Sequence, residues 1–310
     1  MVRKEKKAKS SRRAFSLLGR KDLRDKKTRE ARRGLLVFFR ILALVAVLGV
    51  VAVGLVFLRQ YAERQTQSGN ETGELKLVNA PAWVNEALKE KIYAAARAGG
   101  EDLKIDEQVA ASVQQNIAAF VPWIDDVRVQ ATHDSLLISG RWRKPIGLVE
   151  TGRKYYVDAE RVVLDYVPID SLPIVKITGV VSDRVAQPGS VWEKDDLTAA
   201  VDILRRLDRM DSLVTPEKPL LFEIESIDVS NFDGRHDHLK PHIELSAKDG
   251  TKIVWGAEID KWAEHLEVTD TEKIGRLYNF YKTHGTILNI AQYINLCDPQ
   301  DYVPQPVDEY

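Results

Sequence analysis

One cysteine in 310 residues, Cys297, leaves no pair from which a disulfide within the chain could form. Stability therefore has to come from an apolar core, and the ~240 residues beyond the N-terminal region are ample for one large or two small domains. Sparse thiols also suit an oxidising compartment, where a spare one is a liability. With no histidine near it in sequence, Cys297 reads as a partly buried, inert thiol rather than a nucleophile. Several catalytic signatures are missing too. There is no Gly-x-x-x-x-Gly-Lys phosphate loop, no Gly-x-Ser-x-Gly elbow and no His-Glu-x-x-His helix. The carboxylate pairs Asp125-Asp126 and Asp195-Asp196 are adjacent, not opposed, and read as strand or helix starts. The expectation is a protein that is not an enzyme and has no cofactor.

What the chain does have is a steep asymmetry of charge. Residues 1–34 hold 15 Lys or Arg against 4 Asp or Glu, whereas residues 59–310 hold 29 against 42; with Arg40 these give the net charge of −1. Between them lies the apolar run 35–58. At ~1.5 Å per helical residue its charge-free part, Ile41 to Leu58, reaches about 27 Å, close to the hydrocarbon thickness of a bilayer. The positive-inside rule then places the head in the cytoplasm and the acidic body across the membrane. A cleaved signal peptide fits less well, since the basic region is long and Arg59-Gln60-Tyr61-Ala62-Glu63 offers no small-x-small cleavage site. Ser11-Arg12-Arg13-Ala14-Phe15 resembles a twin-arginine signal, but the apolar run starts too far behind it. The head has no aromatic platform for nucleic acid beyond Phe15, so lipid phosphate is the nearer polyanion.

Residues 59–73 are polar and read as a tether. A compact pattern follows. Glu74 to Val78 alternate as a strand, Val84, Leu88, Ile92 and Ala95 recur at helical spacing after Pro81, and Gly99-Gly100 stops them. Asp106 is positioned to cap a second helix lined by Val109, Val113, Ile117 and Phe120, which Pro122 ends. Two alternating strands come next: Val127, Val129 and Ala131, then Leu136, Ile138, Gly140 and Trp142. Strand, helix, helix, strand, strand predicts a small α+β unit over 74–143. Beyond it, Leu197, Val201, Leu204 and Leu207 predict a helix, and Asp249-Gly250 predicts a hairpin between His242–Ala247 and Thr251–Trp255. Ile274, Leu277, Tyr278 and Tyr281 predict a last helix ended by Gly285.

That order of elements, set behind a basic-flanked apolar run, resembles a POTRA domain in the FtsQ family of bacterial cell-division proteins, called DivIB in some lineages. Pro122-Trp123 is similar to the family's entry into the second POTRA strand, and Arg143-Lys144-Pro145-Ile146-Gly147 to its Arg-x-Pro-hydrophobic-Ala exit, with Gly147 for the alanine. Tyr156 to Val162 resembles a hydrophobic-Asp-x-x-Gly-x-Val strand pair with Glu160 or Arg161 for the glycine; Leu172-Pro173 with Gly179 resembles a Leu-Pro-x-x-x-Gly stretch, and Gly256 falls where the family usually has glycine. Lys273-Ile274 and Leu277 match its Lys-Leu-x-x-Leu helix. Tyr293-Ile294-Asn295-Leu296 resembles its Ile-Asp-Leu-Arg strand, with Asn295 for the acid and Cys297 beyond. The resemblance is that of a divergent member.

It implies an α+β fold with a single transmembrane helix (35–58), a linker (59–73), a POTRA domain (74–143), an FtsQ-like β domain with a mixed α/β sheet (144–306) and a tail (307–310), behind a basic cytoplasmic segment (1–34). The implied location is the inner (cytoplasmic) membrane, single-pass, with the C-terminal part periplasmic or otherwise extracytoplasmic. The implied role is a scaffold that docks single-span FtsB- and FtsL-like partners and couples septal peptidoglycan synthesis to constriction. The corresponding partner-binding positions here are Tyr302, Val303 and Gln305. An exposed sheet edge there could accept a partner strand, or Pro304 and Pro306 could blunt it against aggregation; both uses of an edge are common. The other reading of the whole is an envelope assembly or secretion component using its POTRA unit for another client.

Two further constellations bear on function. His236-x-His238 with His242, Asp233 and Asp237 has atoms suited to zinc or copper, yet Asp233-Gly234-Arg235 and Lys240-Pro241 mark a polar loop, so solvated histidines and no metal are expected. Trp142, Tyr155, Tyr156, Trp192, Trp255 and Trp262 have rings that could stack on sugars, although core packing is the commoner fate of such side chains.

Overall fold

A computed structural model describes residues 73–98, 100, 106–181 and 186–299, and the backbone of a strand at 305–306. The chain begins there with β1 (Glu74–Leu77), α1 (Glu86–Ala96), α2 (Glu107–Phe120), β2 (Ile124–Ala131) and β3 (Ser135–Trp142). The three strands form a mixed sheet in the order β1-β3-β2, with β1 parallel and β2 antiparallel to β3. Asn85 starts α1 by accepting from the Leu88 amide at 3.0 Å, so the helix opens five residues later than Pro81 suggests. Asp106 caps α2 through the Gln108 amide. The buried stripe of α2 is Ala110, Val113 and Ile117; Phe120, expected on that face, is the last residue of the helix and 62% exposed.

The second sheet has nine strands. After β4 (Pro145–Glu150), β5 (Lys154–Asp158), β6 (Val163–Asp165) and β7 (Val175–Thr178) comes the long helix α3 (Asp195–Val214), then β8 (Ile224–Asp228), β9 (Ile243–Ala247), β10 (Lys252–Gly256), α4 (Asp270–His284), β11 (Ala291–Asn295) and β12 (Gln305–Pro306). Their order is β12-β11-β10-β9-β8-β7-β4-β5-β6. The pairs β4–β7, β7–β8 and β10–β11 are parallel and the others antiparallel, so this sheet is mixed as well. On β9 the burial alternates residue by residue, with Ile243, Leu245 and Ala247 inward. These rows and those of β8 and β10 pack with Leu197, Val201 and Leu204 of α3 and Leu277, Tyr278 and Tyr281 of α4 in one core.

The two sheets share a seam. The core under α1 and α2 also takes in Tyr156, Val162, Leu164, Val167 and Ile169 from the β5–β6 region. A ladder of rings crosses it: Trp142 to Trp83 at 6.1 Å, Trp83 to Trp123 at 6.4 Å, Trp123 to Tyr156 at 5.9 Å and Tyr156 to Tyr166 at 5.3 Å between centroids. The contacts at the three-stranded end are edge-on or tilted, the arrangement the ring quadrupole favours.

The fold class expected from the sequence requires a correction. Four α-helices and two mixed sheets make an α+β fold, and among the described residues no helix is long and apolar enough to cross a membrane. The longest, α3, is amphipathic: Leu197, Val201, Leu204 and Leu207 face the core, while Asp202, Arg205, Arg206 and Arg209 lie off that stripe. The apolar run 35–58, the basic segment 1–34 and most of the linker lie outside the described residues.

Candidate functional site

One candidate is the β12 edge of the large sheet. α4 carries the chain from β10 over the sheet to β11, which lies parallel to β10 with Ile253 opposite Ile294. Thr269 caps α4 by accepting from the Glu272 amide, and Gly285 ends it in the left-handed conformation at φ 73°. β12 then lies antiparallel to β11, pairing Pro306 with Ala291 and Gln305 with Tyr293. Of the expected partner-binding residues, Gln305 thus sits on the outermost strand, while Tyr302 and Val303 lie outside the described residues, as does Pro304.

Behind the edge, α4 is anchored by buried charge. Lys273, fully buried, reaches Glu267 Oε2 at 2.6 Å and stands 5.3 Å over the Trp255 ring. Glu267 in turn accepts from the Ala257 amide. At the far side of α4, the Tyr278 hydroxyl donates to Leu207 O and to Asp211 Oδ1 on α3. Asp211 also accepts from the Leu220 and Leu221 amides at 2.8 and 2.9 Å. Burial and the neighbouring Asp211 charge push the Tyr278 phenol strongly up, so it stays a donor. Cys297, just past β11, has its thiol pushed up to about 11, first by burial and then by Glu267; it donates to Asn295 Oδ1 at 3.0 Å. A thiol so held is protonated near neutrality and a poor nucleophile.

The histidines are arranged otherwise than the sequence suggests. His242, directly before β9 and buried, sets Nδ1 3.2 Å from Glu258 Oε1, and its ring meets that of His265 edge-on at 4.6 Å. Donor atoms of His242, Glu258 and His265 all lie within 4.8 Å of one another. His236 is exposed and outside this cluster, and Asp237 instead caps its own loop by accepting from the Leu239 amide. Glu258 and His265 come from the loop between β10 and α4, too far along the chain for a spacing motif to flag them.

The other expected sites disperse. Asp195-Asp196 opens α3, but Asp196 is buried, accepting from the Val181 amide and pairing with Arg235 at 3.0 Å. Asp125 and Asp126 lie near the start of β2, where the ladder to β3 shifts register. The Arg141 hydrogen bond holds the Asp125 carboxyl below the usual range. Tyr156, Trp192 and Trp255 are buried in two different cores, and Trp142 is packed edge-on against Trp83, so these rings form no shared sugar platform.

The chain matches no protein-family model, and no curated protein matches it significantly.

Proposed function

We propose that this chain is a non-enzymatic scaffold of the bacterial division machinery, similar to FtsQ, whose body beyond residue 58 works on the extracytoplasmic side of the cytoplasmic membrane. There it docks small single-span partners of the FtsB and FtsL kind and helps couple septal peptidoglycan synthesis to constriction. The observation that carries the reading is the β12 edge. Among the described residues its two-residue strand pairs with β11 at Ala291 and Tyr293, and so short an outermost ladder is one that a partner strand can extend or replace.

Backbone geometry at the resemblance's landmark positions supports the same reading. Gly179 has φ 80°, and a Cβ there would fall 2.2 Å from the Ser230 amide nitrogen, so only glycine fits. Gly256 has φ 89°. Arg161, one of the two residues that could stand for the family's glycine, has φ 64°, the left-handed conformation a glycine adopts without strain. The sequence diverges at that landmark while its backbone keeps the shape. The charge asymmetry about residues 35–58 supports the sidedness, with the basic segment held near anionic lipid.

The test is to follow a fluorescent fusion of the full chain through the cell cycle and to identify what co-purifies with it. Gathering at the division plane together with recovery of small, single-span coiled-coil proteins is expected. Uniform envelope staining through constriction, or recovery of outer-membrane or secretion machinery instead, would overturn the assignment.

A further inference from the structure

We infer that His242, Glu258 and His265 form a binding site for a divalent transition-metal ion of zinc's class, independent of the docking edge and of the division role. The argument starts from the ligand chemistry. Two imidazoles and a carboxylate are the donor set of three-ligand zinc sites, which leave a fourth position open. Around a tetrahedral zinc with bonds of ~2.0–2.1 Å, neighbouring donors stand about 3.3 Å apart. His242 Nδ1 and Glu258 Oε1 are already 3.2 Å apart. The whole triad falls within 4.8 Å, and the exposed His265 side chain has the freedom to close the remainder.

The frame around the triad is built from the backbone upward. His242 is fixed by the start of β9, and its ring is almost wholly out of solvent. Glu258 is oriented from behind, because its Oε1 also accepts from the Asp233 amide at 3.2 Å. That is the kind of outer hydrogen bond that aims a metal-binding carboxylate. The Asp233–Gly234 turn does more: a Cβ built on Gly234 would stand 2.5 Å from His238 Nδ1 and 3.3 Å from His242 Nε2. Both rings therefore close over one glycine, which sets His238 against the Nε2 side of His242, away from the Nδ1 that faces Glu258. A bound ion would tie the chain directly before β9 to the β10–α4 loop.

The experiment uses the untagged full chain, stripped of metal, and zinc ion alone as the ligand. Isothermal titration is expected to show one equivalent of zinc bound, with His265→Ala and Glu258→Gln each weakening it about tenfold or more, the scale on which losing support at a metal site is felt. His236→Ala, the histidine that the sequence motif includes and the geometry leaves out, is expected to bind as the unmodified chain does. Absence of saturable binding, binding that His265→Ala leaves intact, or binding lost in His236→Ala would each overturn the site. Circular dichroism checks that the variants fold. Should either triad variant misfold, cobalt substitution in the unmodified chain decides: a tetrahedral or five-coordinate spectrum with imidazole ligation supports the site, and a hexa-aquo-like spectrum overturns it.

Discussion

Asp211 shows how much of this fold rests on single polar atoms. It sits nearly out of solvent at the end of α3, and its two oxygens take the Leu220 and Leu221 amides, the Thr215 hydroxyl and the Tyr278 hydroxyl. Replacing it with alanine leaves several buried donors without partners, at ~1–3 kcal/mol each. Asp211→Ala is therefore expected to lose about 3 kcal/mol or more, and Tyr278→Phe, which removes one hydroxyl, about 1–2 kcal/mol, both read from urea midpoints. Phenols also set the alkaline limit. Burial pushes Tyr156 and Tyr281 up to about 12 from an ordinary value of 10.0. Their folded-state values are raised, so the unfolded chain loses these protons first. The associated stability is intact below pH ~10 and falls as pH rises from there toward 12. Urea midpoints measured at intervals across that window should decline, and Tyr281→Phe should decline less.

At the scale of elements, the signals that succeeded in the sequence were local ones. Asp106 as a cap, Asp249-Gly250 as a turn and the Ile274–Tyr281 stripe each rest on a few adjacent residues, and each is found in place. Alternation on β3, where Leu136 and Ile138 are buried, was legible for the same reason. What failed was whatever depends on residues far apart. The histidine triad draws Glu258 and His265 from a loop beyond the hairpin, and the Asp196–Arg235 pair joins α3 to a loop after β8. Periodicity does not report on such meetings. Phe120 fell on the predicted apolar face yet lies exposed, at the last residue of α2, where periodicity alone does not say whether anything packs against the stripe. The β12 edge gives this scale its prediction. A full chain cut after Leu296 keeps β11 and α4 but lacks Gln305–Pro306. Loss of affinity for a synthetic partner peptide would fit strand addition at this edge, and unchanged affinity would refute it.

Across the whole molecule, the seam between the sheets is governed by Arg143, on the short link from β3 to β4. Its guanidinium reaches Asp125 on β2 at 2.8 Å, and Asp158 at the end of β5 and Glu160 just past it at 2.9 Å each. Asp158 is buried and also accepts from the Glu160 and Val162 amides. Removing the cation strands a buried carboxylate, which costs ~3–5 kcal/mol. Arg143→Ala should therefore lower the urea midpoint and expose the 142–145 link to protease before the cores of either sheet. Arg143→Lys should recover only part of the loss, since a single ammonium does not span three carboxylates as a planar fork does.

The indole ladder of Trp142, Trp83 and Trp123 has an optical consequence. Rings held about 6 Å apart at fixed tilt couple their electronic transitions, so the folded chain should carry an exciton couplet in its ultraviolet dichroism. The step from Trp123 to Tyr156 spans the seam, so light absorbed by the tyrosine passes to the indole most efficiently while the two stay joined. The protein thus contains its own gauge of that junction, readable without any attached dye.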